Sequence, residues 1–202
     1  MSIVMCRDSA GHTYQVWAQE QNASCAIASL WMARSQAKQQ SFAEEEWELA
    51  WRVYQRVVIG MPREFAADSA PPPPVCINPA AVGNDQVTFY NMFGNFGTFA
   101  PQVVQALRSD GLKATQVTGS GFPNTLNSAK LSQTTPAIVL LGWYSHADGT
   151  WKRIGGHFIV AADVIGNNIV YLDPWGGELR ELANNGKYLS NGWIEVLIYV
   201  TA

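Results

Sequence analysis

The sequence is short of charge: Lys, Arg, Asp and Glu make up 14% of its 202 residues, and the net charge is −3. No basic patch or stripe stands in it, which argues against a nucleic-acid partner. Cysteine is scarce as well. Cys6, Cys25 and Cys76 are an odd set that cannot pair off completely, so reduced thiols are the simplest reading. There are 3 histidines and no short-spaced Cys/His pairs of the kind that hold zinc, so neither a metal nor a cofactor is expected. Long apolar runs are missing. The most apolar stretch, residues 137–143, is far too short to span a bilayer. Met1-Ser2-Ile3-Val4-Met5-Cys6-Arg7-Asp8 lacks a basic segment followed by an apolar run, so no secretory signal is read there. A soluble protein without a membrane partner is expected.

What the chain does have is apolar bulk, 48% hydrophobic with 8 tryptophans, enough for a sizeable core and against disorder. One domain over residues 1–202 is expected. A short strand is read at 13–17 and a helix over 25–39, with Ser24 as N-cap and Ile27, Leu30 and Trp31 on one face. Ser41-Phe42-Ala43-Glu44 has capping-box form. It opens a helix to Val58 with an apolar stripe of Trp47, Ala50, Trp51, Tyr54, Val57 and Val58, its Glu44–46 turn solvated. Residues 60–87, with Pro71, Pro72, Pro73 and Pro74, read as a long surface loop. A helix from Thr98 or Phe99 ends at Gly111, a strand follows at 112–118, turn residues fill 119–124, and a short helix is expected over 125–133. After Pro136 the period changes to β-type runs at 137–144, 154–165, 169–173, 178–182 and 193–200, with hairpin signals at Asp148-Gly149 and Asn167-Asn168. Helices first and antiparallel strands second make an α+β layout.

One stretch invites chemistry. In Gln19-Glu20-Gln21-Asn22-Ala23-Ser24-Cys25-Ala26-Ile27 a polar loop ends at a cysteine that starts a helix. A thiol there faces the positive end of the helix dipole and unpaired backbone N–H groups, which favour the nucleophilic thiolate. Such a nucleophile needs a base, and the base needs an orienter. His12 lies in the lead-in and His146 in a hairpin turn, so both read as bystanders. His157 follows Gly155-Gly156 and opens the run Phe158-Ile159-Val160-Ala161-Ala162. With a hairpin turn near Ile165-Gly166, residues 157 and 173 fall opposite each other, and Asp173 becomes the orienter.

Gln19 before Cys25-Ala26-Ile27-Ala28-Ser29-Leu30, Gly156-His157-Phe158-Ile159-Val160, and Leu172-Asp173-Pro174-Trp175-Gly176 resemble the papain-like cysteine peptidases. The branch of C39-type, bacteriocin-processing peptidases and papain-like effector proteases is the most similar. Where the C39-type pattern has Asp-Cys-Gly, this chain has Ser24-Cys25-Ala26. The resemblance implies a papain-like fold in which an N-terminal helical part carrying the Cys25 helix packs on a C-terminal antiparallel sheet. It implies Cys25 as nucleophile, His157 as base and then acid, Asp173 as orienter, and Gln19 with the Cys25 N–H as oxyanion donors. It also implies substrate contacts at Gly155, Gly156 and Trp175. The expected activity is endopeptidase cleavage of protein or peptide substrates, after small residues such as Gly-Gly. A cytoplasmic enzyme, or an effector or toxin domain delivered by a specialised system, would fit, and a toxin-like protease would need an inhibitor or immunity protein. The same three groups also serve an amidase or acyltransferase acting on another amide, and such a fold can be kept as a binding module.

Overall fold

In a computed structural model, the structure describes residues 2–57, 97–118 and 123–202. The expected loop at 60–87, with Cys76, lies outside the described residues, as do Val58 and most of the 119–124 turn. The element order is β1 Ile3–Arg7, β2 Thr13–Trp17, α1 Cys25–Lys38, α2 Glu46–Val57, α3 Ala100–Ser109, β3 Lys113–Val117, β4 Ala137–Ala147, β5 Thr150–Ile165, β6 Asn168–Asp173, β7 Glu178–Ala183, β8 Lys187–Tyr188 and β9 Gly192–Thr201. The expected α+β layout is present, with an added β1–β2 hairpin at the start. Among the described residues, no helix is long and apolar enough to cross a membrane.

Helix α1 starts at Cys25 as expected, yet Ser24 does not cap it through its side chain. The Ser24 hydroxyl turns back and donates to the Gln21 carbonyl at 2.9 Å. The helix is buried on nearly every side, from Ala26 through Ser35 and again at Ala37. Burial all round marks a central helix, and its alanines and serines leave room for neighbours to close in.

Helix α2 departs from expectation at its start. Ser41…Glu44 does not open it. The first turn forms at Glu46, and Glu45 N–H is accepted by Glu48 Oε2 at 2.8 Å. Of the three acids expected to be solvated, Glu45 is exposed, whereas Glu44 and Glu46 are taken up inside. Glu44 pairs with Arg34 of α1 and with Arg52 of α2, and Glu46 is fully buried. Arg34 and Arg56 also reach Asp110 at the end of α3, so one ionic cluster ties the three helices together. Of the expected stripe, Ala50 is buried and Trp47, Trp51, Tyr54 and Val57 pack partly buried against the core. The short helix expected over 125–133 is a single 3-10 turn, Ser128–Lys130. Leu126 and Leu131 both enter one core. Residues five apart on an α-helix point about 140° apart and cannot do so together.

The main sheet runs β3-β9-β4-β5-β6-β7, with β8 added to β9, and every pairing is antiparallel. Alternation gives each strand two faces. Phe158, Val160, Ala162, Val170 and Leu172 pack with α1, whereas Leu141, Ile159, Ala161, Tyr171 and Tyr188 form a second core on the other face. The β5–β6 ladder slips between Ala161 and Asp163, a β-bulge that leaves Ala162 without a partner in β6. The carbonyl of Ala162 instead accepts Gln36 Nε2 of α1 at 2.8 Å. At the other end of β5, Asp148 (φ 52°) and Gly149 (φ 74°) make the tight turn their sequence signals.

Candidate active site

Three elements bring the candidate triad together. Cys25 is the first residue of α1 and half-buried. His157 lies in β5 opposite Leu141 of β4 and is buried. Asp173 ends β6, also buried. His157 Nε2 stands 2.7 Å from Asp173 Oδ1. That bond occupies one ring nitrogen and leaves Nδ1 for the Cys25 thiol, which lies near enough to raise the pKa of the ring.

The electrostatics follow from these contacts. Burial pulls the His157 pKa down, but the hydrogen bonds to Asp173 and Cys25, with their charges, outweigh it and push it up to about 9. Burial raises the Asp173 pKa, yet His157, the Tyr188 hydroxyl and the Trp175 N–H together hold it below the usual carboxylate value. Tyr188 donates to Asp173 Oδ2 at 2.6 Å, and Trp175 N–H donates to Oδ1 at 2.8 Å. Trp143 lies nearly parallel to the His157 ring at 6.3 Å, and Trp175 meets it edge-on at 6.2 Å. Trp175 is itself 62% exposed, so it stands between the imidazole and solvent.

The expected register is corrected. The tight turn lies at Gly166-Asn167, with Ile165 opposite Asn168, and Leu172 pairs with Val160. Asp173 therefore falls level with Ile159, and its bond to His157 is diagonal. Both side chains share the face that carries Leu141 and Tyr171, because residues two apart on a strand point the same way.

Gln19 sits on the loop between β2 and α1. Its backbone N–H donates to the Pro174 carbonyl at 2.9 Å, next to Asp173. Its Nε2 donates to the Gln21 carbonyl at 2.8 Å and lies 3.4 Å from that of Asn22. Its Oε1 is buried with no hydrogen-bond partner among the described residues. The carboxamide protons thus turn onto the loop's own carbonyls. The Asp173-Pro174-Trp175-Gly176-Gly177 turn needs its last two glycines, at φ 81° and 69°. A Cβ on Gly177 would stand 2.8 Å from Val4 Cγ2 and 3.0 Å from Ala18 Cβ, so this turn packs directly on the Gln19 segment.

At Gly155 an added Cβ would meet only Trp143, at 3.7 Å. At Gly156 it would meet the Arg153 guanidinium at 2.7 Å, so Arg153 occupies the space over that glycine. His12 is bound to Asp8 at 3.1 Å and His146 packs against Trp151 at 4.8 Å, so neither histidine joins Cys25. Among the described residues, no group of three or more His, Cys, Asp or Glu could hold a metal ion.

Tyr188 and Trp143 are contacts that the sequence did not single out. Tyr188 sits in the turn-rich stretch Gly186-Lys187-Tyr188-Leu189-Ser190-Asn191-Gly192, where a lone buried aromatic is the one available sign. No spacing rule ties it to residue 173.

No protein-family model and no curated protein matches the sequence. Solved structures of similar shape include a double glycine motif protease from an AMS/PCAT transporter in complex with the leader peptide. It is 16% identical, covers 93% of this chain and 91% of that one, and has a TM-score of 0.47. Another is the peptidase domain of Streptococcus ComA, a bifunctional ABC transporter involved in a quorum-sensing pathway. It is 13% identical over 93% of this chain and 98% of that one, with a TM-score of 0.46.

Proposed function

We propose that this chain is a papain-like cysteine endopeptidase acting on protein or peptide substrates. The observation that carries the reading is a buried imidazole 2.7 Å from the Asp173 carboxylate, with the Cys25 thiol at a helix start near enough to raise its pKa. Proton transfer from Cys25 to His157 Nδ1 gives a thiolate–imidazolium pair, and the raised pKa of His157 favours it. The thiolate attacks the scissile carbonyl carbon. Negative charge moves to the carbonyl oxygen, beside the Cys25 N–H and the Gln19 carboxamide. Gln19 reaches that oxygen by giving up its long contact to Asn22 and keeping the short one to Gln21. The His157 Nδ1 proton then passes to the leaving amine, a thioester remains, and His157 activates the water that hydrolyses it. Asp173 holds the ring and its charge throughout. Gly155 and the exposed Trp175 flank the imidazole and would touch the substrate, as would Gly156 once the Arg153 side chain moves off it. Cleavage after small residues such as Gly-Gly, and a role as an effector or toxin domain, complete the proposal.

The test compares wild-type and Cys25→Ala protein by N-terminal labelling proteomics on a treated lysate. New N-termini are expected with the wild type alone, and their flanking residues define the subsites. Cleavage that persists in Cys25→Ala removes the reading. In parallel, iodoacetamide should alkylate Cys25 faster than Cys6, whose thiol is made less acidic mainly by burial.

A further inference from the structure

The loop that carries Gln19 is fastened from outside by an acid that the triad does not use. Glu46, at the first position of α2, is 0% exposed. Its Oε2 accepts the backbone N–H of Glu20 at 2.9 Å. Beside it the Gln21 N–H donates to Ser24 Oγ at 3.2 Å and the Ser24 hydroxyl donates to the Gln21 carbonyl at 2.9 Å, and both residues lie near enough to the carboxylate to lower its pKa. Consecutive N–H groups of the loop are thereby held from two sides: Gln19 by the Pro174 carbonyl and Glu20 by Glu46. Ser24, the last loop residue Glu46 faces, immediately precedes Cys25. A buried carboxylate is costly unless its acceptors are used; here the donor bonded to Oε2 comes from this loop, and Oε1 is buried with no hydrogen-bond partner among the described residues. Burial pushes the pKa of Glu46 up against the lowering effect of those donors.

We propose that Glu46 is a positioning residue for the oxyanion side of the site: it sets the 19–24 loop so that the Gln19 carboxamide and the Cys25 N–H converge on one oxygen. This rests on the peptidase reading. Glu46 has no bond to His157 or Asp173 among the described residues, so its loss should spare the thiolate–imidazolium pair and weaken only the stabilisation of a tetrahedral oxygen.

Two probes separate these effects. Iodoacetamide alkylates the Cys25 thiolate and makes no use of an oxyanion site. Acetyl-glycyl-glycinal adds reversibly: a bond forms between the Cys25 sulfur and the aldehyde carbon, the C=O π bond breaks, and the thiol proton ends on the new hydroxyl oxygen in the oxyanion position. Its dissociation constant is read by protection of Cys25 from iodoacetamide. Glu46→Ala and Glu46→Asp, the second keeping the charge but shortening the reach, should weaken aldehyde binding by about tenfold or more. Their alkylation rates should stay within about twofold of wild type. Glu46→Gln keeps an acceptor oxygen at full reach and should restore binding to within about threefold. Should Glu46→Ala not fold, Glu46→Asp decides. Unchanged aldehyde binding in Glu46→Asp, or equal losses with both probes, overturns the role of Glu46. Wild-type protein that is alkylated at Cys25 but forms no aldehyde adduct overturns the peptidase reading itself, and with it this proposal.

Discussion

The two sides of the candidate site are built differently. On the imidazole side, His157 and Asp173 stand on neighbouring strands of a seven-stranded sheet, and Asp173 receives His157, Tyr188 and the Trp175 N–H. On the other side, the Gln19 loop belongs to no sheet or helix. It hangs on single bonds from Ala18 to Ser2, from Gln19 to Pro174 and from Glu20 to Glu46. Groups on strands with buried partners keep their geometry, whereas a loop keeps it only as well as its few anchors do. On the proposed mechanism, proton chemistry falls to the rigid half, and charge stabilisation to the half that distant elements must hold.

Breaking the rigid half should cost most. Asp173→Asn removes the charge that holds His157 and should lower kcat/KM by on the order of 10³–10⁴-fold in a peptide-cleavage assay. It should also shift the pH profile. In the wild type the alkaline limb should lie near the His157 pKa of about 9, and the variant's limb should move to lower pH. The sign for stability is the same. The folded pKa of His157 is raised above 6.5, so its contribution is complete below that pH and is lost as pH rises through about 9. Denaturant titrations at pH 6 and above 9 read this directly. Gln19→Ala, on the loop half, should lower kcat by about 10²–10³-fold while Cys25 alkylation continues.

Gly177→Ala acts on the join between the halves. A side chain at φ 69° is strained and would overlap Val4 and Ala18, costing about 3 kcal/mol by thermal or chemical denaturation. Tyr188→Phe is the mildest change. It deprives Asp173 of one donor and should cost about 2 kcal/mol, with the His157–Asp173 bond retained. If Tyr188→Phe were to lower turnover as far as Asp173→Asn, the imidazole side would be no more rigid than the loop.

The same contrast explains what could be read from sequence. Helix α1, the strands after Pro136 and the Asp148-Gly149 turn carry local signals of period and turn chemistry, and they formed where those signals lie. Cys25 and Asp173 stood out because a helix start and a strand end are legible, and His157 because it follows two glycines and opens the buried run of β5, although the strand itself begins at Thr150. Glu46 and Tyr188 did not, since each acts on a partner far away in the chain and nothing local marks that partner. The acids at Glu44 and Glu46 looked like an ordinary solvated first turn, and only the arginines of α1 and α2 and the 19–24 loop changed their role. Asp173 was placed opposite His157 from a turn centre set too early. The side chains still meet, because a second irregularity takes back one residue of the error and leaves an even offset, which keeps both on one face.

That irregularity is the extra residue at Ala162. Counted back from Ile165 opposite Asn168 with no interruption, Asp173 would stand level with Val160, on the helix-packed side of the sheet, with His157 on the reverse. The slip between Ala161 and Asp163 changes an even partner into an odd one and brings acid and imidazole onto a common side. A single-codon deletion at this position, many ångströms of chain away from the sulfur, would remove only the residue that faces no partner in β6, so Ala161 and Asp163 would join in an even ladder and Ile159 would stay level with Asp173. The level pairing of residue 159 with Asp173, whether Ala162 bulges out or is absent, is what natural variation in this strand would have to conserve.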